Sequence, residues 1–231
     1  MIFRIVTLFP DFFSGPLQSG LTGRAVEKGL LKYELLNLRE FTEGTERCDD
    51  YPYGGGSGMV LKPEPIFRAV EPLKKNGSRV ILTSPSGTPL TQARAAGLSR
   101  EDDICIICGH YEGVDRRVTD LLVDEEISTG DYILSRGEIA ALAIMDSVAR
   151  QIPGFMQNPS SLEEESFNDD LLEYPQYTRP EVFRGSRVPE ELLSGDHKKI
   201  HEWRMKQRIS KTGELRPDLF KKYLIRKLSG D

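Results

Sequence analysis

The sequence predicts an α/β protein: a parallel sheet with helices on both sides, followed by a small, basic, helical C-terminal part. Three observations lead there. Short apolar, β-branched runs recur at Ile2–Phe9, Tyr33–Leu38, Arg79–Thr83, Asp103–Cys108 and Asp124–Ile127. Helix-like stretches alternate with them, the pattern of parallel strands joined by crossovers. Beyond Pro189 the pattern becomes continuously helical and rich in Lys and Arg.

Each element has a local reason. Ile2–Phe9 and Asp103–Cys108 are nearly unbroken apolar runs of strand length, as expected of strands buried on both faces. Arg79–Thr83 runs into Ser84-Pro85-Ser86-Gly87-Thr88-Pro89, a dense turn signal that predicts the end of that strand. Pro63 suits the first turn of a helix, and Pro72 is expected to end or kink it. Thr91–Leu98 and Val114–Leu121 read as helices. The clearest helix runs from about Gly137 to Gln151. Ser135 is placed to cap it, with Glu138 completing a capping box, and Ile139, Leu142, Ala143, Met145 and Val148 are expected on its apolar face. The prolines at 153, 159, 175, 180 and 189 punctuate a polar, acidic stretch. The expected organisation is a ligand-binding domain over 1–155, a linker over 156–188 and a basic helical domain over 189–231.

Composition narrows the function. The 231 residues are 38% hydrophobic and 29% charged, which fits a soluble globular chain. No apolar run approaches the roughly 18 residues of a membrane span. The N-terminal run is interrupted by Arg4 and lacks the features of a signal peptide. Three cysteines cannot make a disulfide framework and suit a reducing cytoplasm. Net charge is −5, but it is unevenly spread. Residues 197–228 hold eleven Lys and Arg against Glu202, Glu214 and Asp218. Such asymmetry fits a polyanion partner or an ordinary solvated helical face.

Several motifs have two readings. Tyr53–Gly58 (YGGGSG) matches neither the dinucleotide fingerprint nor the Walker loop, so it is either a turn or a flexible, anion-tolerant loop. Cys105 and Cys108 flank two isoleucines within a strand, so their side chains point to opposite faces and read as buried structural thiols. His197 and His201 share a helix face with no third ligand evident. The loops Ser84–Pro89, Gly109–Asp115 and Thr129–Leu134 follow three apolar strands, and in open α/β sheets ligands bind at such carboxyl ends. Their glycines would let a nucleotide-like ligand approach the backbone.

The motifs also occur in a recognisable order. TLFPDFF stands near the start, then YGGGSGMVLKPEP (Tyr53–Pro65), CGHYEGVD (Cys108–Asp115), STGDYILSRGE (Ser128–Glu138) and DSVARQIPG (Asp146–Gly154). EESF (Glu164–Phe167), YTRPEVFRG (Tyr177–Gly185), VPEELLSGDHKKI (Val188–Ile200) and WRMKQ (Trp203–Gln207) follow. Together they resemble the bacterial tRNA (guanine-37-N1)-methyltransferases of the knotted (SPOUT-type) superfamily, over nearly the whole chain. The resemblance implies a trefoil-knotted sheet that holds S-adenosylmethionine, a homodimer with active sites at the subunit interface, tRNA as partner and a cytoplasmic location. It assigns the donor pocket to Leu82, Thr83, Ser84, Pro85, Gly109, Tyr111, Gly113, Thr129, Gly130, Asp131, Tyr132, Ile133 and Leu134. Arg150 matches the catalytic arginine and Glu165 the catalytic carboxylate, with Asp169 as the alternative base. Three positions depart from the family pattern: Glu165 replaces Asp, His110 replaces Arg, and Arg136 replaces a Gly. The family is associated with magnesium, although nothing here reads as a metal cage. The other readings are a knotted-fold RNA methyltransferase with a different target base, and a noncatalytic RNA-binding module.

Overall fold

The computed structural model describes residues 1–156, 158 and 165–229. The chain divides into two compact units, Met1–Gln157 and Asn158–Asp231. The first is built on five parallel strands in the order β2-β1-β6-β5-β7. They are β1 (Ile2–Thr7), β2 (Lys32–Asn37), β5 (Arg79–Pro89), β6 (Asp103–Cys108) and β7 (Glu125–Ser128). A short antiparallel pair, β3 (Asp49–Asp50) and β4 (Val60–Leu61), brackets the glycine-rich segment.

Strand alternation sorts the apolar side chains into two cores. Phe3, Ile5, Ile81, Ile104, Ile106 and Ile127 face one side, packed under α1 (Ser14–Gln18), α2 (Gly20–Glu27), α4 (Gln92–Leu98) and α6 (Gly137–Ala149). Val6, Val80, Leu82, Cys105 and Ile107 face the other, under α3 (Pro63–Lys75) and α5 (Arg116–Leu121). The helices thus lie on both faces, as the alternation predicts. Cys105 and Cys108 are buried in opposite cores. Burial pushes the Cys105 thiol up to about 12 and Cys108 well above its ordinary value, so both stay protonated and unreactive. Arg4, which interrupts the first apolar run, binds Asp103 of β6 at 2.9 Å and Glu34 of β2, tying three strands at one edge of the pleat.

Five expectations are corrected. β5 does not stop at Thr83. Thr83 and Thr88 both register with Ile127, so the Ser84–Gly87 segment bulges from an extended strand that runs to Pro89. A Cβ on Gly87 would lie 2.5 Å from the Ile127 nitrogen, so only glycine lets the strand close again. α3 continues through Pro72 to Lys75, because the proline falls in its last turn and costs little beyond one backbone bond. α5 starts at Arg116 rather than Val114. Val114 bridges to Leu61, and Asp115 caps the helix by accepting the Arg117 N–H at 3.0 Å. No Ser135–Glu138 capping box forms: Arg136 occupies the N-cap without a side-chain bond, and Glu138 is 1% exposed. α6 ends at Ala149, and Ile139 and Ala143 are exposed, since a helix apolar nearly all round does not announce which face is buried.

The second unit contains a hairpin, β8 (Val182–Phe183) and β9 (Ser186–Arg187), then α7 (Glu190–Leu193), α8 (His197–Leu215) and α9 (Pro217–Ser229). Asp196 caps α8 by accepting the N–H groups of Lys198 and Lys199. Part of the stretch read as a linker is packed on α8. Leu171 and Tyr174 are buried, Leu172 N–H donates to Thr212 Oγ1 at 2.8 Å, and Arg204 lies over the Tyr174 ring. Pro159, Glu163, Glu164 and Asp231 lie outside the described residues.

Glu46 anchors the segment before the glycine-rich loop. Its carboxylate accepts from Lys62 Nζ and Arg68 Nη1, both at 2.8 Å, and those bonds hold its pKa down at about 2, against 4.5 ordinarily. A carboxylate held low stabilises the fold above its unfolded pKa and loses that effect as it protonates. The stability gap between the parent chain and Glu46→Gln should therefore be full above pH 4.5 and close as pH falls toward 2, in urea melts across that range. A gap constant with pH would contradict this.

Candidate active site

In the first unit β5, just before its bulge, meets the loop after β6 and the start of α6. Gly109 N–H donates to Thr83 Oγ1 at 3.1 Å, and that hydroxyl donates to Ile107 O at 3.3 Å. Gly137 N–H donates to Gly109 O at 2.8 Å. Three distant segments therefore meet at Thr83, Gly109 and Gly137. No side chain fits between them. A Cβ on Gly137 would lie 2.5 Å from the Gly109 nitrogen and closer still to Thr83 Oγ1, and one on Gly109 would lie 2.8 Å from Thr83 O.

The structure brings most of the sequence-predicted pocket residues around this crossing. Leu82 and Thr83 are buried in β5 just before its bulge, whereas Ser84 and Pro85 stand in the bulge. Gly109, Tyr111 and Gly113 form the loop after β6. Tyr111 has a φ of 59°, and its N–H donates to His110 Nδ1 at 2.9 Å. Thr129–Leu134 follows β7. Ser128 Oγ donates to Gly130 O at 3.1 Å, and Tyr132 OH donates to Thr129 O at 3.2 Å, so the loop is folded back on itself with Asp131 and Ile133 exposed. A ligand there would meet backbone N–H and C=O groups and apolar edges rather than a cage of charges.

Sequence reasoning missed several contributors. Glu138, one residue after the crossing, accepts a hydrogen bond from Thr7 Oγ1 at 2.6 Å, and Thr7 Oγ1 accepts the Phe9 N–H at 2.9 Å. Glu138 Oε2 has no partner among the described residues. The Phe9 ring is covered by Arg136 at 5.2 Å, Arg39 at 5.3 Å and His110 at 5.1 Å, with Arg136 also 5.3 Å from Phe12. Two of the departures from the family pattern, Arg136 and His110, thus pack on one ring. The glycine-rich segment also reaches this loop. Met59 O accepts the Glu112 N–H at 3.0 Å, Gly113 O accepts the Leu61 N–H at 3.0 Å, and a Cβ on Gly58 would strike the Glu112 side chain. A turn-type glycine pattern does not reveal which loop it joins.

Arg150 is the C-cap of α6, in the first unit. Glu165 and Asp169 belong to the second unit. Asp169 lies between Arg208 Nη1 at 3.6 Å and Arg226 Nη2 at 3.8 Å, and Arg226 also meets Asp170 at 3.4 Å. His197 and His201 are exposed on α8, and no three His, Cys, Asp or Glu side chains among the described residues converge as metal ligands.

Five parallel strands flanked by helices, with Thr83, Gly109 and Gly137 in close contact beyond the sheet, define an α/β protein of the open-sheet class. Residues 1–222 match the family described as tRNA (Guanine-1)-methyltransferase TrmD. Curated relatives carry the name tRNA (guanine-N(1)-)-methyltransferase. The one from Carboxydothermus hydrogenoformans is 54% identical over 218 residues, covering 94% of this chain and 86% of its own. Those from a Synechocystis species and Clostridioides difficile are 52% and 48% identical, covering 99% and 96% of this chain and 100% and 98% of theirs. The chain belongs to the tRNA (guanine-N1)-methyltransferase family.

The crossing makes a sharp expectation. Gly137→Ala forces a methyl against the buried, hydrogen-bonded Thr83 hydroxyl and the Gly109 backbone, so it should destabilise by about 1–3 kcal/mol, the usual cost of overpacking. Melting should drop by roughly 2–4 °C per kcal/mol for a unit of this size. Gly97→Ala, in α4 with open space where the methyl would go, should be neutral or stabilising. Equal melting temperatures for the two variants would contradict the crossing.

Proposed function

We propose that this protein transfers a methyl group from S-adenosylmethionine to N1 of guanine 37 in the anticodon loop of tRNA. The observation that carries the reading is the Thr83–Gly109–Gly137 crossing in a chain of this family. Three loops brought this close suit a threaded, trefoil-knotted path, with the donor seated against Leu82–Pro85, Gly109, Tyr111, Gly113 and Thr129–Leu134. The active unit is a homodimer with its sites at the subunit interface, acting in the cytoplasm. No described helix is long and apolar enough to cross a membrane.

The donor supplies an electrophilic methyl on a sulfonium and is left as a neutral thioether. The protein must make N1 of guanine nucleophilic and hold it in line with that methyl. Glu165 accepts the N1 proton as general base while N1 bonds the methyl. Negative charge that develops on O6 is met by the Arg150 guanidinium, which acts as an oxyanion donor does. Asp169, which stands between Arg208 and Arg226, is the alternative base. Lys and Arg side chains of α8 and α9 hold the tRNA phosphates, and the target base turns out of the loop into the pocket. Magnesium, associated with the family, is assigned no step.

Glu165→Gln keeps shape but takes no proton, so single-turnover methyl transfer should slow by about 10²–10⁴-fold. Its residual rate should rise toward high pH, where N1 ionises unaided. Arg150→Ala should also slow transfer while keeping most of the parent pH profile. A near-normal rate in Glu165→Gln would move the role of base to Asp169.

A further inference from the structure

The hairpin at 182–187 is exposed throughout, yet its sequence is aromatic and basic. Val182 pairs with Arg187 and Phe183 with Ser186, and Val188 N–H donates to Glu181 O at 3.0 Å. The turn between the strands is Arg184-Gly185, with φ of 49° and 82°. Two positive values suit the tight turn that matches strand twist. Glycine is at home there, but an arginine is not, and side chains held in that region tend to mark functional sites. The turn sets the Arg184 guanidinium 5.4 Å from the centroid of the Phe183 ring.

Phe183 is 63% exposed, so it adds little to the apolar core of its unit. A two-stranded ribbon is marginal by itself, and an exposed aromatic on it offers contact area without stabilising the fold. The charges nearby favour an anionic occupant: Arg179, Arg184 and Arg187 stand against one carboxylate, Glu181, which is 3.9 Å from Arg187 Nε. An exposed aromatic ring with one guanidinium held beside it fits a partner that carries flat π faces on a chain of negative charges.

We propose that this hairpin is a nucleotide-stacking site, in which the Phe183 ring takes the face of one unpaired base of the bound tRNA while the Arg184 guanidinium beside it holds a flanking phosphate. Paired bases in an A-form stem offer no free face, so the occupant is a splayed base of a loop or end. The inference rests on tRNA being the substrate.

The test uses the full chain and an unmodified tRNA transcript. Phe183→Ala should weaken tRNA binding by about 5- to 150-fold, the range seen when a base-stacking aromatic is removed. Phe183→Tyr should bind within about twofold of the parent, and S-adenosylmethionine binding and melting temperature should be unchanged in both. Phe183→Trp should show fluorescence quenching by tRNA beyond that of the parent, whose single tryptophan is Trp203. A parent chain that methylates tRNA while Phe183→Ala binds it undiminished overturns the stacking site and leaves the proposed function standing. A parent chain that binds no tRNA overturns both. A Phe183→Trp emission that shifts with protein concentration and ignores tRNA would assign the hairpin to contact between copies of the chain, and so overturn the proposal.

Discussion

The structure depends on three stretches of backbone meeting with nothing between them. Thr83 ends the straight part of β5, Gly109 follows β6 and Gly137 opens α6, and hydrogen bonds join them in sequence. Much of the first unit serves that meeting. The buried isoleucines of β6 place its end level with that of β5. The bulge at Ser84–Gly87 lets β5 leave the sheet and rejoin beside β7. Two glycines at the meeting itself are required by space, since any Cβ there would enter backbone. The result is a junction whose polar groups are mostly backbone amides and carbonyls held in place by their own hydrogen bonds.

The same region buries an acidic side chain. Glu138 lies in the core beside Thr7, and the Thr7 hydroxyl links it to the backbone of Phe9. A carboxylate with one oxygen unpartnered is costly to bury, and such groups persist where they hold a particular arrangement. Here it ties β1 to the start of α6. Phe9, on the same stretch, is the ring on which Arg136, Arg39 and His110 settle. Departures from the family pattern at 110 and 136 thus share one packing environment rather than acting as two isolated changes.

The layered architecture was legible in the sequence because it is written in apolar periodicity. Ile2–Thr7 and Asp103–Cys108 read as strands buried on both faces, and both are strands of the parallel sheet. What the sequence concealed was set by long-range contact. Ser84–Pro89 carries every mark of a turn, yet pairing with β7 keeps it extended at both ends. Glu138 has the spacing of a capping residue, but its partner is Thr7, 131 positions away. Gly137 resembles any helix-start glycine until its distance to Gly109 is known. Glu165 and Arg150 were reached by motif resemblance alone, since an acid in an acidic run and a cation at a helix end have ordinary explanations.

The account stands or falls on where the methyl group goes. The direct measurement is transfer of labelled methyl from S-adenosylmethionine to a tRNA transcript, with the modified nucleoside isolated and its methylated atom identified by mass spectrometry. The account predicts 1-methylguanosine at position 37, and no product when guanine 37 is replaced by adenine. Methylation of another base or atom would contradict it, as would a folded chain that binds tRNA and transfers no methyl.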